Sequence, residues 1–267
     1  MADFHDAPTN APPDDAPDDA PRDAPEAVRR GRSGPPVPQG TERRLRPSRW
    51  LAPPRWWLAL ELVVVFGAVP VVLWLERHRA APLLLPLVFG GGLLALVLLL
   101  LDRSFPTRRL WHARAALADL RHLVLVRMLP AMLLVGVAYA IVEPDRLFGF
   151  PRNDPRGWLV VMLVYPALSV YPQELLFRAL FFHRYAPVLG DGRTMILASG
   201  LLFGWAHLPF GTWIAPVLCA LGGLLFAWTW HRTRSMAAVT FEHGLWGDFA
   251  FTIGLGWYFY TGSIAGT

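Results

Sequence analysis

Pro82–Leu101 reads PLLLPLVFGGGLLALVLLLL, and Asp102 ends the run. It is twenty consecutive residues without a charge. At about 1.5 Å per helical residue the run spans about 30 Å, the thickness of a bilayer's hydrocarbon core. Working outward, similar runs recur at Trp56–Leu75, Leu123–Val142, Trp158–Phe182, Thr194–Leu208, Trp213–Trp230 and Met236–Tyr260. The expected fold is therefore all-α: a polytopic membrane bundle of about seven to eight spans. The last run is long and rich in glycine (Gly244, Gly247, Gly254, Gly256), a composition that invites a break into two pieces. The chain of 267 residues is 54% hydrophobic and 17% charged, against about 25% charged in an ordinary soluble domain. A soluble multidomain enzyme is excluded. With Cys219 as the one cysteine, so is a disulfide scaffold.

Residues 1–49 differ from all this. Asp-Ala-Pro recurs at Asp6, Asp15, Asp19 and Asp23, and large apolar side chains are almost absent. Such a segment buries too little surface to offset its ordering entropy, so a disordered tail is expected before a membrane domain over 50–267. The tail is acidic first and Arg-rich from Arg29 onward. Its basic half is expected to rest on anionic lipid headgroups. It lacks the apolar core of a signal peptide, so the first span is read as an uncleaved anchor.

The net charge of +5 does not point to nucleic acid, because all 25 basic residues are arginine and most lie in the tail or between apolar runs. Arginines in such places orient a membrane protein, with their excess on the cytoplasmic side. The count favours a cytoplasmic N-terminus, with Arg103–Arg121 inside as well, and a C-terminus outside. This fits the inner membrane of a bacterial cell. A helix over Thr107–Arg121 would lie in the interface, and Trp257–Tyr260 would form an aromatic belt. Membrane lipids are expected partners, and nucleic acid is not.

Ionisable residues inside spans are costly and tend to be functional. Glu61 lies near a span end, where an interfacial role suffices. Glu174, Arg178, His207, Glu242, His243 and Asp248 lie in three separate spans and in apolar surroundings. Glu174 and Arg178 are four residues apart and share a helix face. Pro172 lacks an N–H and frees a carbonyl one turn back, which would kink the helix beside Glu174. Gln173 points about 100° away from Glu174 around the helix. Two histidines and a carboxylate from three helices can hold a metal such as zinc through Glu174, His207 and His243. Alternatively, a carboxylate and a histidine can hold and deprotonate water without any cofactor. Both arrangements hydrolyse. The His-Glu-x-x-His spacing of zinc peptidases is absent.

At these residues the chain resembles the CPBP family, the CAAX-protease and bacteriocin-processing (Abi) family of intramembrane endopeptidases. The family pattern is EExxxR, FxxxH and HxxxN or HxxxD. It is matched here by Gln173-Glu174 with Arg178, by Phe203 with His207, and by His243 with Asp248 close behind, over roughly 157–255. The resemblance implies proteolysis in which Glu174, helped by His207, activates water and Arg178 holds Glu174. It also implies that His243, with Asp248, stabilises the oxyanion, with Gln173 and Glu242 as accessory groups. No cofactor is expected on this mechanism, zinc being the minority option. The substrate would be a hydrophobic peptide or a segment of a membrane protein.

The chain departs from the pattern twice. Gln173 stands where the family has its first Glu, and glutamine cannot accept a proton at neutral pH. Gly247 stands four residues after His243, so that Asp248, at five, is about 140° off the His243 face of a straight helix. A helix loosened at Gly244 and Gly247, or a π-bulge, would bring Asp248 round. The alternative reading is a non-catalytic membrane protein on the same scaffold, with an immunity or partner-binding role. A weaker one is a proton-relaying transporter. An enzyme needs its groups within reach of one point, and a binding protein does not.

Overall fold

The structure is a computed structural model and describes residues 53–111 and 122–259. The expected tail over 1–49, most of the expected interfacial helix and Tyr260 lie outside the described residues. Among the described residues all regular structure is helical. The long helices are α1 (Arg55–Leu75), α2 (Arg77–Leu101), α3 (Leu123–Val142), α4 (Pro155–Arg184), α5 (Arg193–Trp205), α6 (Ile214–Thr233) and α7 (Met236–Ile253). Of these, α1, α2, α3, α4 and α6 are long and apolar enough to cross a membrane. That is five helices where seven to eight spans were expected. The α5 helix has 13 residues, about 20 Å of rise. The α7 helix has 18 but spends three of them on Glu242, His243 and Asp248. The chain is an integral membrane protein.

Most of the large apolar side chains of α2 from Leu83 onward and of α3 face outward. Leu134 and Ile141, for example, are 72% and 76% exposed. In water such a band would be an aggregation surface; here it is the lipid-facing surface. Packing between helices relies on small residues, as lipid offers no hydrophobic drive for helices to associate. Gly200 and Gly204 of α5 lie against α6 so closely that a Cβ on Gly204 would meet Ala220 at 2.6 Å and the carbonyl of Pro216 at 2.5 Å. Gly92 of α2 lets Pro172 of α4 approach in the same way.

The α4 helix is not regular. It runs as π-helix over Pro166–Val170 and Leu175–Leu180, on either side of a short α-helical stretch at Tyr171–Glu174. π-Turns widen a helix and recur at functional sites. Ser199 of α5 donates to the carbonyl of Phe177 in the second π segment at 2.8 Å. Two polar clusters anchor the far end of α4. Arg184 makes a bidentate pair with Glu61 of α1, and Tyr185 donates to the same carboxylate. His183 lies 2.9 Å from Asp102, whose other oxygen accepts from Ser104. Burial works to raise the Asp102 carboxyl, but the bonds from Ser104 and His183 outweigh it and leave the group below the usual aspartate range.

The final apolar run breaks at Gly254, which adopts φ 112° and ends α7. A side chain there would be strained by that φ, and its Cβ would meet the carbonyl of Arg146 at 2.5 Å. A 3₁₀ turn, Leu255–Phe259, follows.

Candidate active site

Glu174 and Arg178 lie on α4 at the junction of its α-helical stretch and second π segment, both fully buried. Oε2 of Glu174 is 3.1 Å from Nε of Arg178, the i,i+4 pair expected of that spacing. Arg178 also donates to the carbonyl of Gly223 on α6 at 3.1 Å. Its guanidinium lies 4.4 Å from the ring centre of Phe203 and 5.4 Å from that of Phe226. A buried cation is thus compensated by one carboxylate, one carbonyl and two aromatic faces.

The second oxygen of Glu174 meets Nδ1 of His243, on α7, at 2.7 Å. A carboxylate only accepts, so Nδ1 of His243 carries the proton and Nε2 offers a lone pair. The imidazole is stacked on Phe226, 4.5 Å between ring centres and 18° from parallel. Nε2 is 3.4 Å from the hydroxyl of Tyr165, at the outer limit of a hydrogen bond.

His207 follows the last turn of α5, where the chain leaves the helix through Ala206 into the turn Leu208–Phe210. Its Nδ1 is 2.7 Å from the carbonyl of Phe203. A carbonyl only accepts, so Nδ1 is the protonated nitrogen here too, and Nε2 is again the lone pair. Both imidazoles pack on Phe203, at 4.8 and 5.4 Å between ring centres.

His207 and His243 border a cavity of about 240 Å³. Its polar wall includes Tyr165, Ser169, Gln173, His207 and His243, and the rest is largely aliphatic and aromatic, including Val135, Leu218, Phe249 and Phe251. Glu174 does not border it; Gln173 does, with its amide nitrogen donating to Ser169 at 2.8 Å. Asp248 and Glu242 are not in the wall either. The α7 helix is α-helical throughout, with no π-turn that would rotate Asp248 onto the His243 face. Glu242 points to α3, where Arg127 bonds it at 3.1 Å and also reaches Thr229.

Residues 155–247 match the family model described as type II CAAX prenyl endopeptidase Rce1-like. The resemblance read from the motifs is found again in this match. The matched segment covers just over a third of the chain and takes in α4, α5, α6 and the first two thirds of α7, which carry His243. No curated protein and no solved structure matches the chain.

The zinc option places Glu174, His207 and His243 on one ion. Among the described residues no group of three or more His, Cys, Asp or Glu is arranged to hold a metal. Glu174 turns both oxygens to protein partners and lies behind His243, outside the cavity.

Sequence reasoning passed over Tyr165, Ser169 and Arg127. Tyr165 and Ser169 carry no signal in a sequence, because both residue types are ordinary in membrane helices. Arg127 did carry one: it is a charge several residues inside the third span.

Proposed function

We propose that this chain is an intramembrane endopeptidase in which His243, oriented by Glu174, is the general base. The observation that carries this reading is the bond between Nδ1 of His243 and Glu174, which leaves the other ring nitrogen free as a base on a residue that lines a largely apolar cavity of about 240 Å³. The Rce1-like match over the same residues supports a protease. In this reading Glu174 acts through His243 and does not itself contact water. Arg178 holds Glu174 in place.

The chemistry follows from the two lone pairs. In this reading a water donates one O–H to Nε2 of His243, and Nε2 of His207, in the same wall, offers a second lone pair. His243 takes one proton as the water oxygen bonds to the scissile carbonyl carbon, and the carbonyl π pair moves onto its oxygen. As that pair returns, the C–N bond breaks and the amine nitrogen takes the proton from His243. The apolar walls exclude bulk water and accept aliphatic side chains, which suits a hydrophobic peptide or a membrane-protein segment. No cofactor is required. The Arg distribution supports a cytoplasmic N-terminus and an outer C-terminus, and a bacterial inner membrane is proposed as the location.

The test is cleavage of a library of apolar membrane peptides in proteoliposomes by the wild type, His243→Ala, Glu174→Gln and Gln173→Glu. Cleavage by the wild type that falls about 10²–10⁴-fold in the first two variants supports the reading. Cleavage found only in Gln173→Glu overturns it and makes the natural chain a non-catalytic scaffold.

A further inference from the structure

We propose that the hydroxyl of Tyr165 is the hydrogen-bond donor that stabilises the oxyanion, in the space that a side chain at position 247 would otherwise occupy. This rests on the endopeptidase reading above.

Two observations meet at this residue. First, Tyr165 belongs to the cavity wall, with its hydroxyl 3.4 Å from Nε2 of His243. A donor for the carbonyl oxygen must lie close to the base that activates the water, and this one does. Secondly, Tyr165 occupies the ground beside Gly247. A Cβ on Gly247 would overlap the phenol ring and stand 2.6 Å from its oxygen. The HxxxN or HxxxD pattern carries a polar side chain four residues after its histidine. Here α7 carries none at that place, and α4 delivers a phenolic O–H to the same spot. The absence of a side chain at 247 and the presence of Tyr165 are one packing arrangement.

Other groups in the wall are less suited. Nε2 of His207 is a lone pair while Nδ1 binds the Phe203 carbonyl, so the neutral ring cannot donate into the cavity. The Gln173 amide spends one of its two N–H groups on Ser169. Asp248 lies outside the wall. The indole N–H of Trp246 is a rival: Trp246 borders the cavity and its Nε1 is buried without a partner. Tyr165 is favoured because its hydroxyl touches His243 and its ring is braced edge-on against Phe251, 5.2 Å between centres. A braced donor pays little reorganisation when charge develops. No proton leaves Tyr165 in the step; the phenol donates a hydrogen bond that strengthens as the carbonyl oxygen gains its electron pair.

The experiment compares two probes on the full chain in detergent: an apolar peptide, and the same peptide with its central amide replaced by an anionic, tetrahedral phosphinate. Affinities are measured for the wild type, Tyr165→Phe, Trp246→Phe and the double variant Tyr165→Ala with Gly247→Asn. The phenylalanine keeps the ring that fills the space at Gly247 and removes only the O–H. The wild type is expected to prefer the phosphinate, and Tyr165→Phe to lose about 10²–10³-fold of that preference with peptide affinity unchanged. The double variant, which puts an amide donor on α7 in the room vacated on α4, is expected to recover part of it. Where the wild type also cleaves peptide, Tyr165→Phe is expected to lower kcat by a similar factor and leave KM unmoved. No phosphinate preference in the wild type, or a preference lost in Trp246→Phe and kept in Tyr165→Phe, overturns the assignment. A phosphinate preference that needs Tyr165, in a chain that cleaves nothing, leaves the donor standing and sinks the endopeptidase reading alone.

Discussion

Glu174 and His243 are 69 residues apart in sequence and 2.7 Å apart in space, joined by a bond that leaves the other imidazole nitrogen free as a base. Glu174 is fully buried and His243 is its route to anything outside the helix interface. The pair is a carboxylate–imidazole unit with the carboxylate behind, and the consequences can be measured on each partner.

Glu174→Gln keeps the volume of the side chain and removes its charge. The imidazolium that forms as His243 takes a proton then has no counter-charge within contact. A drop in kcat of about 10²–10⁴-fold with KM little changed is expected in proteoliposome assays. A drop confined to KM would mean that Glu174 serves binding and not proton transfer.

Arg178→Met leaves Glu174 as a buried carboxylate without its partner. Breaking a buried pair from one side costs about 3–5 kcal/mol. The thermal midpoint of the purified protein in detergent should fall by several degrees at least. Arg178→Met combined with Glu174→Gln should recover part of the loss, because no charge is then stranded. Recovery should not extend to activity.

Gly247→Ala introduces a Cβ that overlaps the Tyr165 ring. Overpacking of this kind costs about 1–3 kcal/mol and displaces the neighbour that gives way. Loss of cleavage beyond the loss of stability is expected, since the displaced group belongs to the cavity wall. Gly244→Ala, whose nearest neighbour is Pro166 at 3.9 Å, should be tolerated far better. Equal damage from both would point to a general intolerance of α7.

Asp102 lies outside the membrane spans and is held below the ordinary aspartate value of 3.8, burial opposing and the Ser104 and His183 bonds prevailing. The folded state therefore binds its proton less tightly than the unfolded chain does. Its contribution to stability is present above pH about 4 and is lost as the pH falls through the lowered native value. Asp102→Asn should flatten the acid limb of a midpoint-against-pH curve and lower the midpoint at neutral pH. An unchanged acid limb would show that Asp102 takes no part in it.

The span-forming character of α1, α2, α3, α4 and α6 was legible because a bilayer imposes length and composition on each segment separately, and both are local properties. The pairing of Glu174 with Arg178 was legible for the same reason: one helical turn sets it. The break at Gly254 was foreshadowed by glycine content, although its position depends on the close approach of Arg146. What crosses between helices was not legible. A 100° step per residue separates Gln173 from Glu174, but only the packing of α4 against α6 and α7 decides that Gln173 borders the cavity while Glu174 lies behind His243. Asp248, five residues after His243, was expected to stand for the last residue of the motif. The uninterrupted α-helix of α7 leaves it outside the wall, and Tyr165, 82 positions before Gly247, comes beside the vacant place instead. Composition and periodicity fix which segments enter the membrane and which charges they carry in. Helix–helix packing, which depends on where small residues let backbones approach, decides which of those charges meet.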